Sequence, residues 1–289
     1  MYIALNSWIY CGFGGEKTPR AFIDWAAEKG LDGVELTVGD CLSVDTTEAE
    51  AKDLAAYAKA RGVGLRSLAT GAGWGKWLCA DDAAEREEAK AFVRKYLQLA
   101  AWLGAETVLV VPGATRVAWD ASHAEVSYKN AWANATASIR ELVPVAEQLG
   151  VNLALENVWN RFLLSPMEWK LFLDQFNSKR VGIYFDVANC CYIARPEDYP
   201  EILGDYIKGV HLKNFAGTDC AGGLHGFGDN ILAGDVDFAK LFAALAKINY
   251  AGPMAVEMIP FCRLPNMTVP DDDLAAAMVE QIAELKKLA

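Results

Sequence analysis

The chain predicts an α/β fold, a single (β/α)8 TIM barrel over residues 1–289, and three observations carry that prediction. Short β-branched or apolar runs alternate with longer amphipathic ones from the first residue to the last, the pattern of βα units around a parallel sheet. The strand candidates number about eight, which closes a barrel of typically ~250 residues. No linker, charge block or low-complexity segment divides the chain, so residues 1–289 read as one domain.

The strand candidates are residues 2–8, 33–38, 64–69, 107–111, 152–158, 182–187, 209–214 and 253–258. Helices between them carry their own punctuation. Thr18-Pro19 opens one before "RAFIDWAAEKG", and Gly30 closes it. In "EREEAKAFVRKYLQLAAWLG", Phe92, Tyr96, Leu99 and Leu103 recur at steps of four, three and four, which puts them on one face. Gly104 ends that helix. "SYKNAWANATASIRELVPVAEQLG" ends the same way at Gly150, while Pro144 predicts a kink or an earlier stop. Ser165-Pro166 starts the helix that runs through "MEWKLFLDQF". A doubly wound open sheet is the competing architecture, but it calls for a G-x-G-x-x-G turn after an early strand, and the sequence has none.

Composition narrows the function. With 53% hydrophobic residues and a mean hydropathy of +0.11, the chain can build an extensive core. A formal net charge of -11 and no basic patch argue against a nucleic-acid partner, which is held through clustered Lys and Arg. Seven cysteines, an odd number with no CxxC, predict reduced thiols. The first ten residues lack a basic leader pattern, and no apolar run approaches the roughly 18 residues of a membrane span, so a soluble cytoplasmic protein with no membrane partner is expected.

Chemistry in such a barrel gathers at the carboxyl ends of the strands. There the last four strands each end on a polar side chain: Glu156 after "NLAL", Asp186 after "VGIYF", His211 after "KGV" and Glu257 after "PMAV". Three carboxylates and one imidazole on one face repel one another unless a divalent cation neutralises them. That donor set suits Mn²⁺ first, with Mg²⁺, Co²⁺ and Zn²⁺ as alternatives.

In order along the chain, "ALENVWN", "YFDVAN", "GVHLKNF" and "AVEM" resemble the sugar phosphate isomerase/epimerase family of the xylose isomerase-like TIM barrels, which includes D-tagatose 3-epimerase and related ketose epimerases. The resemblance implies a metal site made of Glu156, Asp186, His211 and Glu257. It also implies that Glu156 and Glu257 exchange protons with a keto sugar or sugar phosphate through an enediolate. General chemistry agrees: a base on one face of a carbon and an acid on the other invert it. The sequence departs from the family in two places. Asn189 stands where those epimerases carry a substrate-binding His, and Asn160-Arg161 corresponds to their Asn-Arg pair shifted one residue later.

Other residues join the site by position. Trp8 and Glu35 end the first two strands and are expected to line the pocket, Trp8 as an aromatic wall. Lys213 shares a face with His211 and reaches either a substrate anion or a barrel carboxylate. His225 in the long loop 216–235 is a candidate for a substrate hydroxyl, and Gly222 and Gly223 for a phosphate. The segment "TGAGWGKW" reads as a lid or a turn, His123 as a surface residue, and Cys190-Cys191 as packing. The apolar side of "DDLAAAMVEQIAELKKL" suggests a homo-oligomer. A lyase or dehydratase on the same site, similar to inosose dehydratase or keto-glycoside lyases, is the main rival function. An endonuclease IV-like enzyme needs more histidines than the three present, and a non-catalytic sugar-binding protein would not need both glutamates.

Overall fold

The protein is described here by a computed structural model covering residues 1–117, 123–217, 226–258 and 272–289. Eight parallel strands close into one barrel in sequence order, and β1 pairs with β8 to complete it. The first half of the chain runs β1 (Ala4–Asn6), α1 (Trp8–Cys11), α2 (Pro19–Glu28), β2 (Gly33–Thr37), α3 (Glu48–Ala60), β3 (Ser67–Ala69), α4 (Ala83–Leu103) and β4 (Thr107–Val110). The second half continues with α5 (Tyr128–Leu149), β5 (Asn152–Glu156), α6 (Pro166–Leu173), β6 (Val181–Asp186), α7 (Asp198–Leu203), β7 (Ile207–Leu212), α8 (Phe238–Lys247), β8 (Met254–Val256) and α9 (Asp272–Lys286).

The helix boundaries follow their caps. Thr18, Asp82, Ser127, Ser165 and Asp237 each accept a backbone N–H of the helix that follows, satisfying a donor that has no partner inside the helix. Thr47 and Glu50 form a reciprocal capping box at α3. Gly104 and Gly150 take left-handed backbone at the ends of α4 and α5, where a side chain would be strained. The expected stop at Pro144 does not occur, because α5 runs through it to Leu149. Pro144 lies on the exposed face, so the carbonyl left without its N–H partner is on the side of water.

One face of α4 buries Tyr96, Leu99 and Leu103 against the barrel, with Phe92 packed at its edge. In α9, Leu274, Ala275, Met278, Ile282 and Leu285 are buried within the same chain. That apolar face, which suggested a partner subunit, is therefore used internally. Among the described residues, no helix is long and apolar enough to cross a membrane.

The barrel interior is set by register. Asn6 pairs with Glu35, Glu156 with Tyr184, and Asp186 with His211, so polar strand ends come level around the rim. The β6–β7 register shifts between Ile183 and Tyr184, an irregularity of the kind that re-aims side chains. Gly209 lies opposite the Tyr184 ring. A Cβ there would stand 2.5 Å from a ring carbon, so only glycine leaves the phenol room to cross the barrel interior.

Candidate metal centre

The four strand-end residues meet. Glu156, Asp186, His211 and Glu257 each offer a ligand atom, all within 4.8 Å of one another. From His211 Nδ1 the distances are 3.2 Å to Glu156 Oε1, 3.6 Å to Glu257 Oε2 and 4.0 Å to Asp186 Oδ2. All four side chains are buried. Asp186 Oδ1 accepts the backbone N–H groups of Ala188 and Asn189, so the turn after β6 fixes one carboxylate oxygen and directs the other into the centre. Asn157 fixes the backbone beneath it: its amide donates to Asp186 O and accepts from Asp186 N, both at 2.8 Å.

Behind His211 stands a second carboxylate. His211 Nε2 lies 2.7 Å from Glu35 Oε1, which leaves Nδ1 as the nitrogen facing the cluster. Glu35 also accepts from Asn6 Nδ2 at 2.8 Å, from Ser67 Oγ at 2.5 Å and from the Tyr184 hydroxyl. Its two oxygens are therefore saturated by residues from β1, β3, β6 and β7, and the side chain is fully buried. Glu35 was expected to line the substrate pocket. The fold instead sets it against His211 Nε2, and a carboxylate in that place is an arrangement that recurs behind metal-bound histidines.

Lys213 is the cation of the centre. Its Nζ lies 2.9 Å from Asp186 Oδ2 and pairs with Glu257 Oε2. Burial opposes its charge, but Asp186, Glu257 and Glu156 hold its pKa above the ordinary lysine value. His211 behaves likewise: burial disfavours the charged ring, and the carboxylates of Glu257, Glu35 and Glu156 outweigh it. Burial pushes Glu156 up to about 7 against the hydrogen bond from His211, and raises Asp186 against the Lys213 charge. For Glu35, burial is overcome by the His211 charge and by hydrogen bonds from His211, Ser67 and Tyr184, so its carboxyl stays below the usual range.

This donor set fits a divalent cation. Asp186 Oδ2 is buried without a hydrogen bond, since Lys213 approaches it outside hydrogen-bond geometry. Four buried carboxylates (Glu35, Glu156, Asp186 and Glu257) also exceed the charge that His211 and Lys213 can supply, so protons or a cation must make up the difference. Three carboxylates and one imidazole nitrogen are ordinary ligands for Mn²⁺, Mg²⁺, Co²⁺ or Zn²⁺.

The remaining predicted residues divide. Trp8 sits at the rim, buried, stacked on Phe13 with its indole N–H donated to Asp40 at 2.8 Å. Asn189 is half-buried and donates its amide to Asn157 O at 3.0 Å. Asn160 does not present its amide to a ligand: Nδ2 donates to Gly113 O at 2.7 Å, and Oδ1 accepts from Phe162 N at 3.0 Å. It is a fully buried loop clamp. Arg161 is exposed on left-handed backbone with φ 57°. His225, Gly222 and Gly223 lie outside the described residues. In "TGAGWGKW", Trp77 is fully buried and its indole N–H donates to Trp74 O, which makes this segment a pinned turn. His123 is half-buried, stacked on Trp77 and 2.9 Å from Glu85 Oε1. Cys190 and Cys191 donate to Val187 O as packing thiols.

Sequence reading missed Asn6, Ser67, Tyr184 and Asn157. The strand-end test applied to β1 would have found Asn6, whereas Ser67 opens β3 and lies outside that test. It also missed an aromatic wall beside Lys213, where Trp159 packs on Phe215 and Phe227 at ring separations of 5.3 Å and Lys213 Nζ lies 5.2 Å from the Phe227 ring.

Fold and centre together define a (β/α)8 barrel with a carboxylate and imidazole cluster at the carboxyl end of its last four strands. Residues 23–287 match the family described as xylose isomerase-like TIM barrel, and the chain belongs to that family. It is 29% identical over 243 residues to a putative L-ribulose-5-phosphate 3-epimerase of Escherichia coli K12, a match covering 79% of each chain. It is 28% identical over 173 residues to an L-ribulose 3-epimerase of Methylomonas sp. DH-1, covering 53% of this chain and 54% of the relative. The chain thus spans about half the length of that relative, as it does of an archaeal one matched over 55%. Among solved structures, D-psicose 3-epimerase from Clostridium cellulolyticum H10, with D-tagatose, superposes with a TM-score of 0.78 at 17% identity, covering 100% of this chain and 99% of that one.

Proposed function

We propose that this protein is a divalent-metal-dependent epimerase or isomerase of a keto sugar or sugar phosphate, with Glu156 and Glu257 as its acid and base. The observation that carries the reading is the pair of glutamates flanking His211 Nδ1, at 3.2 and 3.6 Å, beside Asp186 Oδ2, which accepts no hydrogen bond and is paired with the Lys213 charge. The printed names of the Escherichia coli, Methylomonas and Clostridium relatives point to ketose chemistry. A divalent ion bound there, with manganese the one proposed, supplies a Lewis acid for the substrate carbonyl and its neighbouring hydroxyl.

The residues of the chain then divide the work. One glutamate removes the proton from the carbon next to the carbonyl, and the other returns a proton from the opposite face, which inverts that carbon. Lys213, held beside Glu257, is placed to steady negative charge developing on a substrate oxygen. Trp159 with Phe227, and the edge of Trp8, are the apolar faces proposed to meet the sugar C–H groups. Asn189 offers its amide oxygen to a hydroxyl.

The test is solvent isotope exchange. Protein stripped with a chelator and reloaded with Mn²⁺ is incubated in D2O with D-tagatose, D-fructose, L-ribulose and their phosphate esters. Deuterium gained at one carbon without loss of mass is the expected result. Release of water or an aglycone would reassign the site to elimination, and the absence of any metal-dependent exchange across the panel would remove the proposal.

A further inference from the structure

The segment after β7 carries a cation into the candidate metal centre. Lys213 follows Leu212, the last residue of β7, and its side chain is buried. The backbone beside it is fixed. Asn214 Nδ2 donates to Ile231 O at 2.8 Å, and Asn214 Oδ1 accepts the N–H groups of Phe215 and Val236 at 2.9 and 3.0 Å. A Cβ at Gly234 would lie 2.3 Å from that oxygen, so a residue without a side chain is what lets the loop close on Asn214. What remains free to move is the Lys213 stem, a flexible chain ending in a compact ammonium.

That ammonium lies on the oxygens a divalent ion would use. Lys213 Nζ is 2.9 Å from Asp186 Oδ2 and pairs with Glu257 Oε2, and these same two oxygens stand 4.0 and 3.6 Å from His211 Nδ1. The other Asp186 oxygen is engaged by the N–H groups of Ala188 and Asn189, so Oδ2 serves whichever cation is present. A monovalent and a divalent charge sharing buried oxygens repel strongly, because little water screens them. Lys213 has a second seat within reach: Nζ is 5.2 Å from the centre of the Phe227 ring, close enough for a cation–π contact. Phe227 is held in place by Phe215 and Trp159, with ring separations of 4.9 and 5.3 Å.

We propose that Lys213 is a built-in competitor of the divalent ion: its ammonium holds Asp186 Oδ2 and Glu257 Oε2 in the stripped protein, lowers the affinity of the centre for metal, and turns to the Phe227 ring when metal is bound. The inference rests on the metal site of the proposed function and adds to it a residue that sets metal affinity. The exchange is ionic and makes or breaks no covalent bond. In the stripped protein it gives two of the three clustered acids a partner besides the single imidazole, which offsets part of the cost of burying them. The ammonium released from the carboxylates then lies on the aromatic wall proposed to meet the sugar.

The experiment compares the full chain with Lys213→Met, which keeps an unbranched stem and removes the charge. Mn²⁺ affinity is measured by chelator competition without sugar, and thermal unfolding is followed in chelator and in saturating Mn²⁺. The expected result is Mn²⁺ binding at least ~tenfold tighter in the variant. Its thermal stability should be lower than wild type in chelator, and the deficit should close when Mn²⁺ is added. Affinity that is unchanged or weakened overturns the proposal, and so does an equal deficit in both conditions, the sign of a lysine that only packs. A second measurement needs no variant to fold: wild-type protein is pulse-labelled with acetic anhydride in chelator and in saturating Mn²⁺, then digested with trypsin. Acetylated Lys213 joins peptides 209–213 and 214–240 into one. Labelling several times faster with Mn²⁺ is expected, and labelling no faster overturns the proposal. Wild type that binds no divalent ion would remove the metal site itself, whereas tight binding matched by Lys213→Met would remove only the part given to Lys213.

Discussion

Glu156 and Glu35 have the same address in the sequence, a carboxylate ending an apolar strand, and opposite circumstances in the barrel. Glu156, on the half built from β5 to β8, faces a histidine nitrogen and two other acids, and its carboxyl is pushed up to about 7. Glu35, on the half built from β1 to β3, is saturated by four donors and held below the usual range. The lesson is that a strand-end carboxylate is assigned by what consumes its oxygens. One half of the rim presents the clustered residues that could hold a metal, and the other holds the histidine that joins them.

The largest effects should come from the presenting half. Glu156→Gln and Glu257→Gln each remove a proton carrier together with a ligand charge, so the isotope-exchange rate under saturating Mn²⁺ is expected to fall by roughly 10²–10⁴-fold or more. A variant that keeps a tenth of wild-type exchange would show that the pair of glutamates is not the acid and base.

Glu35→Gln probes the other half and should act on the metal rather than the sugar. Gln can still accept from His211 Nε2, but it lacks the charge that strengthens that ligand, so Mn²⁺ affinity measured by chelator competition should drop roughly 10–100-fold. The KM for the sugar, taken at saturating Mn²⁺, should stay near wild type. A raised KM with unchanged metal affinity would return Glu35 to the substrate pocket.

The two halves also differ in pH response. In the metal-free protein the raised Glu156 pKa means that this carboxyl holds its proton below about 7, and a metal must displace it. Apparent Mn²⁺ affinity should therefore weaken as pH falls below about 7, by up to about tenfold per unit for that one proton. Above it the remaining dependence should be that of His211, whose charge the surrounding carboxylates favour and whose proton the metal must also displace. Glu35 is ionised throughout that window, so Glu35→Gln should lower the affinity while leaving in place the slope that Glu156 sets below about 7. Isothermal titration between pH 5.5 and 8 distinguishes a change of slope from a change of height.

The fold was legible because each strand carried its own apolar run and most helices their own cap, and both are local signals. Local signals also misled at Pro144, where the sequence shows the broken hydrogen bond but not that its carbonyl faces water. The clustering of Glu156, Asp186, His211 and Glu257 was legible because the topology places every strand end on one rim, so a linear pattern became a spatial one. What the sequence could not show was which rim atoms were already taken. The partners of Glu35 come from β1, β3, β6 and β7, and Tyr184 reaches it only because Gly209 leaves space, a complementarity with no sequence spacing of its own.

Asn160 carries that point to its smallest effect on chemistry. Its position shortly after Glu156 suggests substrate binding, yet its amide bridges Gly113 O and Phe162 N, joining the loop after β4 to the loop after β5. Asn160→Ala would leave a buried carbonyl and a buried N–H without partners, each costing about 1–3 kcal/mol, so thermal unfolding should shift down by several degrees. The turn itself sits outside the ligand cluster, and KM and Mn²⁺ affinity at a temperature below unfolding should remain within about twofold of wild type. A tenfold rise in KM with unchanged stability would mean that the amide leaves the loop to meet the sugar, and the division between residues that present and residues that hold would fail at this position.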